Sequence, residues 1–228
     1  MRPKHLARFI DHSILKPNSS TEELEQGCLT ARRLEVASVC LLPHYVRRCR
    51  ELLAGSPVRT STVVGFPHGG ASLRAKLAET EAYLDDGAEE LDVVVNVSLV
   101  VSGRFSEVRE EVSALTSAVH ERGQKLKLIF ETCFLSRDQK IALCEIASEA
   151  GVDWVKTSTG FGTGGATVDD VRLMRAHCPP HVAVKASGGV SSLTQLHELL
   201  SAGANRIGCS RTEALLEEAG AAPPPKHP

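Results

Sequence analysis

Eight short apolar runs alternate with eight segments of helical periodicity along this chain, and that alternation restricts its fold more than any other feature. The runs lie near residues 9–12, 37–42, 59–64, 91–95, 126–130, 152–155, 182–186 and 206–208. Each is too short for a helix and carries valine, leucine or isoleucine, which reads as a buried strand. Helical segments begin near Thr21, His44, Ala71, Ser106, Arg137, Val168, Ser192 and Thr212. From Ala71 to Leu84, the leucines Leu73, Leu77 and Leu84 fall on one face while Arg74, Glu79 and Glu81 fall elsewhere, so that face is expected to be buried. Strands joined through helices are parallel neighbours. An open doubly wound sheet would satisfy the same order, but eight such units in 228 residues fit a closed α/β (β/α)8 barrel, the TIM barrel, better.

A repeated spacing supports this reading. Gly87 reaches Asp92 in five residues, and Gly151 reaches Lys156 and Gly203 reaches Gly208 at the same offset. Each glycine is placed to end a helix in the left-handed conformation, and the offset counts one short strand. Asp92, Lys156 and Gly208 are therefore expected toward the C-terminal rim, where barrels of this kind carry their sites. A hydrophobic content of 42% is enough for one core. We expect one domain over 1–220 and, because Pro223 to Pro225 can neither continue a helix nor pair in a sheet, a disordered tail at 221–228.

Charge and cysteine usage exclude several function classes. The net charge is -2, with basic and acidic residues interspersed, so neither nucleic acid nor an anionic membrane is expected as a partner. No stretch approaches the length of a membrane span, and the opening MRPKHLARFI lacks the apolar core of a signal peptide, which places the protein in the cytoplasm. Seven scattered cysteines without a CxxC pair argue for reduced thiols and against structural zinc. The expected ligand is small.

Chemistry concentrates near two lysines. Lys156 ends the run before the loop TSTGFGTGG, and burial makes an ammonium there costly. Either a carboxylate neutralises it, or its pKa is lowered and it acts as an amine nucleophile. Lys185, in VAVKAS, follows the next helix and so belongs to a neighbouring parallel strand. Two ammonium groups about 6 Å apart at an effective dielectric of about 20 repel by roughly 2.8 kcal/mol, a means of holding one of them neutral for Schiff-base chemistry. Asp92 is either an acid/base or a lysine counter-ion, Asp11 either a turn cap or a site residue, and Glu131 a candidate ion-pair partner of either lysine. Cys40 reads as an inert core thiol. His12 and His68 join no cluster with metal-ligand spacing, which argues against a metal-dependent reaction. The glycines after the last two strands either make tight turns or let backbone N–H groups approach an anion.

The segments DWVKTSTGFG and VKASGGV, with LDVVVN, VVGFPHG and DHSILK, resemble those of the deoxyribose-phosphate aldolases, class I aldolases of the DeoC type, from about Phe9 to Leu215. The resemblance implies reversible cleavage of 2-deoxy-D-ribose 5-phosphate to D-glyceraldehyde 3-phosphate and acetaldehyde, in deoxynucleoside breakdown, without a cofactor. It implies an imine on Lys156, with Lys185 beside it, Asp92 in a proton relay through water and Asp11 near the substrate hydroxyls. Its phosphate contacts map onto Gly160, Gly188, Gly189, Gly208 and Ser210. Two positions depart from the pattern: Ser191 stands where an arginine is common, and Arg211 where a second serine is common. Arg211 is therefore expected either to supply the phosphate cation from the other side or to be a solvated arginine on the helix surface. A class I aldolase for a related or non-phosphorylated sugar, and a silent sugar-phosphate-binding barrel, remain alternatives, and a homo-oligomer, dimer or tetramer, is open.

Overall fold

Glycines after helices turn the chain into its strands. Gly151 caps one helix at φ 71°, ψ 33°, and Gly87 and Gly203 have φ of 99° and 113° ahead of the next strand. A Cβ on Gly203 would lie 2.7 Å from Arg175 Cγ, so space as well as backbone conformation requires glycine there. The computed structural model describes residues 2–221. The expected tail at 221–228 falls, except for the backbone of Ala221, outside the described residues.

The strands are β1 (Ile10–Ile14), β2 (Ser38–Leu41), β3 (Arg59–Val64), β4 (Glu90–Val94), β5 (Lys125–Ile129), β6 (Trp154–Lys156), β7 (Ala183–Ser187) and β8 (Arg206–Cys209). They close in sequence order with parallel pairing throughout, β8 returning to β1, which settles the barrel against the open sheet. The helices are α1 (Pro3–Ala7), α2 (Thr21–Leu34), α3 (Val46–Leu52), α4 (Leu73–Asp85), α5 (Val97–Val101), α6 (Phe105–Glu121), α7 (Arg137–Ala150), α8 (Val168–His177), α9 (Leu193–Ser201) and α10 (Thr212–Ala221). Capping boxes start two of them, Ser20 with Glu23 on α2 and Ser136 with Gln139 on α7. The short helices α1 and α5 were not expected, and β6 both begins and ends later than its apolar run, so that Lys156 is its last residue and not the residue after it.

Strand alternation divides the side chains into two sets. Val39, Leu41, Val64, Leu91, Val93, Leu126, Leu128, Val155, Val184 and Ile207 face outward into the apolar layer beneath the helices. Inside the barrel a small apolar group, Leu15, Cys40 and Val63, lies toward the C-terminal mouth, and Val94 and Ile129 end their strands on the same inward face. Most of the inward positions deeper in the barrel are polar, among them Asp11, Ser38, Ser61, Glu90, Asp92, Lys127, Lys156 and Lys185, all buried. Asp92 thus sits within the barrel and not at its rim.

The buried face of α4 also differs from the leucine face expected. Lys76, Thr80 and Leu84 are buried, with Leu73 and Leu77 packed at the edge. Lys76 can occupy that face because its Nζ donates to Val94 O at 2.7 Å and to Glu111 Oε1 of α6 at 2.9 Å, which satisfies the charge. This pair fixes the end of β4.

Candidate active site

Register brings the charged groups together. Lys156 of β6 lies across from Lys185 of β7, and Asp92 of β4 across from Lys127 of β5. Asp92 Oδ2 accepts from Lys156 Nζ and from Lys185 Nζ, each at 2.7 Å, while Oδ1 accepts from Lys127 Nζ at 2.8 Å. The two nitrogens that share Oδ2 are therefore no farther apart than the two bonds combined. Lys185 Nζ also lies 2.6 Å from Asp11 Oδ2, an ion pair without hydrogen-bond alignment. Lys127 Nζ pairs with Glu90 Oε2 at 2.6 Å. Arg206 Nη1 donates to Asp11 Oδ1 at 2.6 Å and to Glu90 Oε2 at 3.3 Å, and its guanidinium lies 4.9 Å from the centre of the Trp154 ring.

Four cations thus share three carboxylates in the lumen. Lys127 contacts Asp11, Glu90 and Asp92; Lys185 contacts Asp11 and Asp92; Arg206 contacts Asp11 and Glu90. Lys156 contacts Asp92 alone. Buried charge is costly when uncompensated, so the network is relieved most cheaply by deprotonating Lys156. Burial lowers the Lys156 pKa, Asp92 opposes the change, and Lys185 pushes it down again, leaving it below the ordinary lysine value. At Lys185 burial acts in the same sense, but Asp11 and Asp92 outweigh it and hold the pKa raised. Burial is likewise overcome at Lys127 by Asp92, Glu90 and Asp11, and its pKa is raised.

The carboxylates respond in the opposite sense. Burial opposes ionisation of Asp92, yet Lys127, Lys156 and Lys185 hold its carboxyl well below the usual range. Asp11 is held low against burial by Lys185, Arg206 and Lys127. Cys40 Sγ lies 3.9 Å from Asp92 Oδ2, and burial together with that carboxylate pushes the thiol up to about 11. It remains a thiol at neutral pH, with little nucleophilic character.

A cavity of about 700 Å³ opens above this network, with Lys156, Gly160, Gly188, Gly189, Gly208, Ser210 and Arg211 in its lining. Asp92 and Lys185 do not line the cavity but are joined through Asp92 Oδ2 to Lys156, which does. Asp11 departs from the expectation that it lies beside substrate hydroxyls: it is fully buried and does not line the cavity, because Lys185 and Arg206 engage it below the mouth. Glu131 is corrected as well. It pairs with neither lysine but accepts from Thr159 N at 3.3 Å and from the Thr159 hydroxyl. Its φ of 56° takes the backbone out of strand geometry just beyond β5.

His68 is exposed in the turn after β3, whereas His12, expected on the surface or in a loop, is part of β1. His12 Nδ1 lies 2.9 Å from Thr212 Oγ1, and burial lowers its pKa to about 4, so the ring is neutral. Among the described residues no group of three or more His, Cys, Asp and Glu is arranged to hold a metal ion. Lys127, Glu90, Arg206 and Trp154 were missed from the sequence. Their signal was alternation, since Glu90, Trp154 and Arg206 stand two residues before Asp92, Lys156 and Gly208 on the same strands, and Lys127 is paired with Asp92.

At the other end of the cavity, backbone replaces side chain. Gly188 has φ 91°, and a Cβ there would lie 3.0 Å from Gly165 Cα, so the loops after β6 and β7 meet backbone to backbone. Ser187 Oγ donates to Ser158 O at 2.6 Å and ties the same loops together. Arg211, exposed just before α10, directs Nη1 to Ser191 O at 3.4 Å and so spans the two positions that depart from the resemblance. Glycine backbone, a helix start and a guanidinium around one end of a cavity suit an anion.

Comparison with known proteins places these features in context. Residues 6–214 match the family described as DeoC/LacD family aldolase. The chain is 52% identical over 214 residues to the deoxyribose-phosphate aldolase of Rhodopirellula baltica, covering 94% of this chain and 89% of that protein. It is 45% identical over 215 residues to the deoxyribose-phosphate aldolase of Caldanaerobacter subterraneus, covering 94% and 93%. Among solved structures, it is similar to the tetrameric deoxyribose phosphate aldolase of Aeropyrum pernix, with a TM-score of 0.90, 32% identity and coverage of 96% and 92%.

Proposed function

The chain belongs to the DeoC/LacD family of aldolases, and from that premise we propose that it is a class I deoxyribose-phosphate aldolase with Lys156 as the imine-forming amine. It cleaves 2-deoxy-D-ribose 5-phosphate reversibly to D-glyceraldehyde 3-phosphate and acetaldehyde. The observation that carries the assignment of Lys156 is its place in the charge network: it has a single carboxylate partner, its pKa is lowered, and it lines the cavity.

Neutral Lys156 attacks the C1 aldehyde to give a carbinolamine, which takes a proton on its hydroxyl and loses water to form an iminium. Loss of the C3 hydroxyl proton then lets the C2–C3 bond break, its electron pair entering the iminium to leave an enamine and D-glyceraldehyde 3-phosphate. Protonation of the enamine carbon and hydrolysis release acetaldehyde and restore Lys156. The iminium is the electron sink. Lys185, with its raised pKa, stays charged and keeps Lys156 depleted of its proton. Asp92 Oδ2 is bonded to both amines, so with a water in the cavity it forms the relay for the proton steps. Asp11 holds Lys185 and Arg206 in register rather than touching substrate. The phosphate lies against Gly160, Gly188, Gly189, Gly208 and Ser210, with Arg211 as its cation.

We place the protein in the cytoplasm, as a homo-oligomer. Seven free cysteines suit a reducing compartment, and the relative from Aeropyrum pernix is a tetramer. Among the described residues no helix is long and apolar enough to cross a membrane.

Borohydride reduction during turnover of deoxyribose 5-phosphate tests the mechanism. A stable added mass is expected on the peptide containing Lys156. A label confined to Lys185 would exchange the roles of the lysines, and full acetaldehyde release without any label would remove the imine.

A further inference from the structure

We propose that Glu131 is a positioning residue that holds the phosphate-side loop through Thr159 and so sets the preference for a phosphorylated substrate, an inference that rests on the aldolase reading above. Glu131 is 3% exposed and stands in the left-handed region at φ 56°, ψ 64°, which residues other than glycine seldom adopt. Its partners among the described residues are all neutral. Thr159 N donates to Oε1 at 3.3 Å and to Oε2 at 3.4 Å, the Thr159 hydroxyl donates to Oε2, and Cys133 Sγ lies 4.0 Å from Oε1. A buried carboxylate without a cation and a left-handed backbone are two separate costs at one residue. A stability role would be served better by an apolar side chain in a relaxed conformation.

The geometry these costs maintain is that of Gly160. Thr159 Oγ1, while donating to Glu131, accepts from Phe161 N at 3.0 Å. One carboxylate therefore fixes the chain on both sides of Gly160, which itself has φ 87° and lines the cavity beside Gly188 and Gly189. The loop rests on the segment that carries Glu131. A Cβ on Gly162 would come within 3.1 Å of Glu131 Cδ, and one on Gly164 within 3.0 Å of Cys133 Cβ, so neither position accepts a side chain without displacing the loop. Glu131 stays outside the main cavity. It lines a neighbouring cavity of about 300 Å³ whose wall includes Thr159 and Phe161, so the loop stands between it and the substrate. It has no bond to Lys156, Lys185 or Asp92, and the imine chemistry is therefore separable from it.

Kinetics with deoxyribose 5-phosphate and with plain deoxyribose, together with calorimetric titration of inorganic phosphate, test the clamp in full-length protein. Glu131→Ala is expected to raise KM for deoxyribose 5-phosphate and to weaken phosphate about tenfold, with kcat within about twofold of wild type. KM for plain deoxyribose should not change. Glu131→Gln keeps an acceptor for Thr159 N and should restore most of the lost affinity. Equal losses on both sugars, or unchanged phosphate affinity in Glu131→Ala, overturn the proposal. If Glu131→Ala does not fold, Thr159→Val removes the hydroxyl end of the clamp, and the same selective loss is required of it. A wild-type protein that binds phosphate but releases no acetaldehyde would refute the aldolase reading while the titrations still decide the clamp. One that binds no phosphate counts against the clamp.

Discussion

One oxygen, Asp92 Oδ2, accepts from two ammonium groups, and this makes the acidity of Lys156 depend on its neighbour. Lys185→Met would remove a nearby positive charge and leave Oδ2 to Lys156 alone. Both changes favour the protonated form, so the Lys156 pKa should rise. The attacking amine must be neutral, and the acid limb of the imine-formation rate should therefore move to higher pH. Trapping at neutral pH should fall and recover in part under alkaline conditions; an unmoved limb would show that Lys185 acts through other contacts. Lys156, Lys185 and Asp92 were legible in the sequence because each stands within or at the end of an apolar run. Lys127 and Glu90 were not. In KLKLIF and EELDVV the polar residues alternate with apolar ones, the usual mark of a solvated face, but in a closed barrel clothed by helices the second face is the lumen.

At the scale of elements, the pair joining α4 to α6 outweighs the helix caps. Lys76→Met leaves Glu111 buried without its cation and should cost about 3 to 5 kcal/mol, against about 1 kcal/mol for Ser136→Ala, which removes one side of a capping box. Urea melts should reproduce that order. Adding Glu111→Gln to Lys76→Met should recover more than half of the loss, because no unpaired charge remains, and a double variant as unstable as the single one would contradict this account. All eight strands and the eight main helices could be read from periodicity. The helices α1 and α5 could not, since five residues each complete little more than one turn and show no repeat. The buried face of α4 was misread because Lys76 looks solvent-facing until Glu111, thirty-five positions away, is brought against it.

Across the whole molecule, the apolar mass lies between strands and helices, and the lumen is held by charge. Asp11 and Asp92, lowered from 3.8, contribute stability above that value and lose it as pH falls through their folded pKa values. Lys127 and Lys185, raised from 10.5, contribute below that value and lose it only as pH rises through their folded pKa values. Scanning calorimetry should accordingly give one transition, since closure links every strand, with a midpoint that declines steadily as the pH is taken below about 4. A midpoint unchanged down to about pH 2 would mean that the unfolded chain keeps these pairings.

Dissolved ions meet two different environments in this protein. Screening extends over about 8 Å at physiological ionic strength, but only from places that ions can enter. Arg211 at the mouth is exposed to them, while Asp92, Lys127 and Lys185 are fully buried and Lys156 is only 3% exposed. Added salt therefore weakens capture of a dianionic substrate at the rim and leaves the acidity of Lys156 where the lumen has set it, so ionic strength acts on how often the substrate enters and not on how readily the amine attacks.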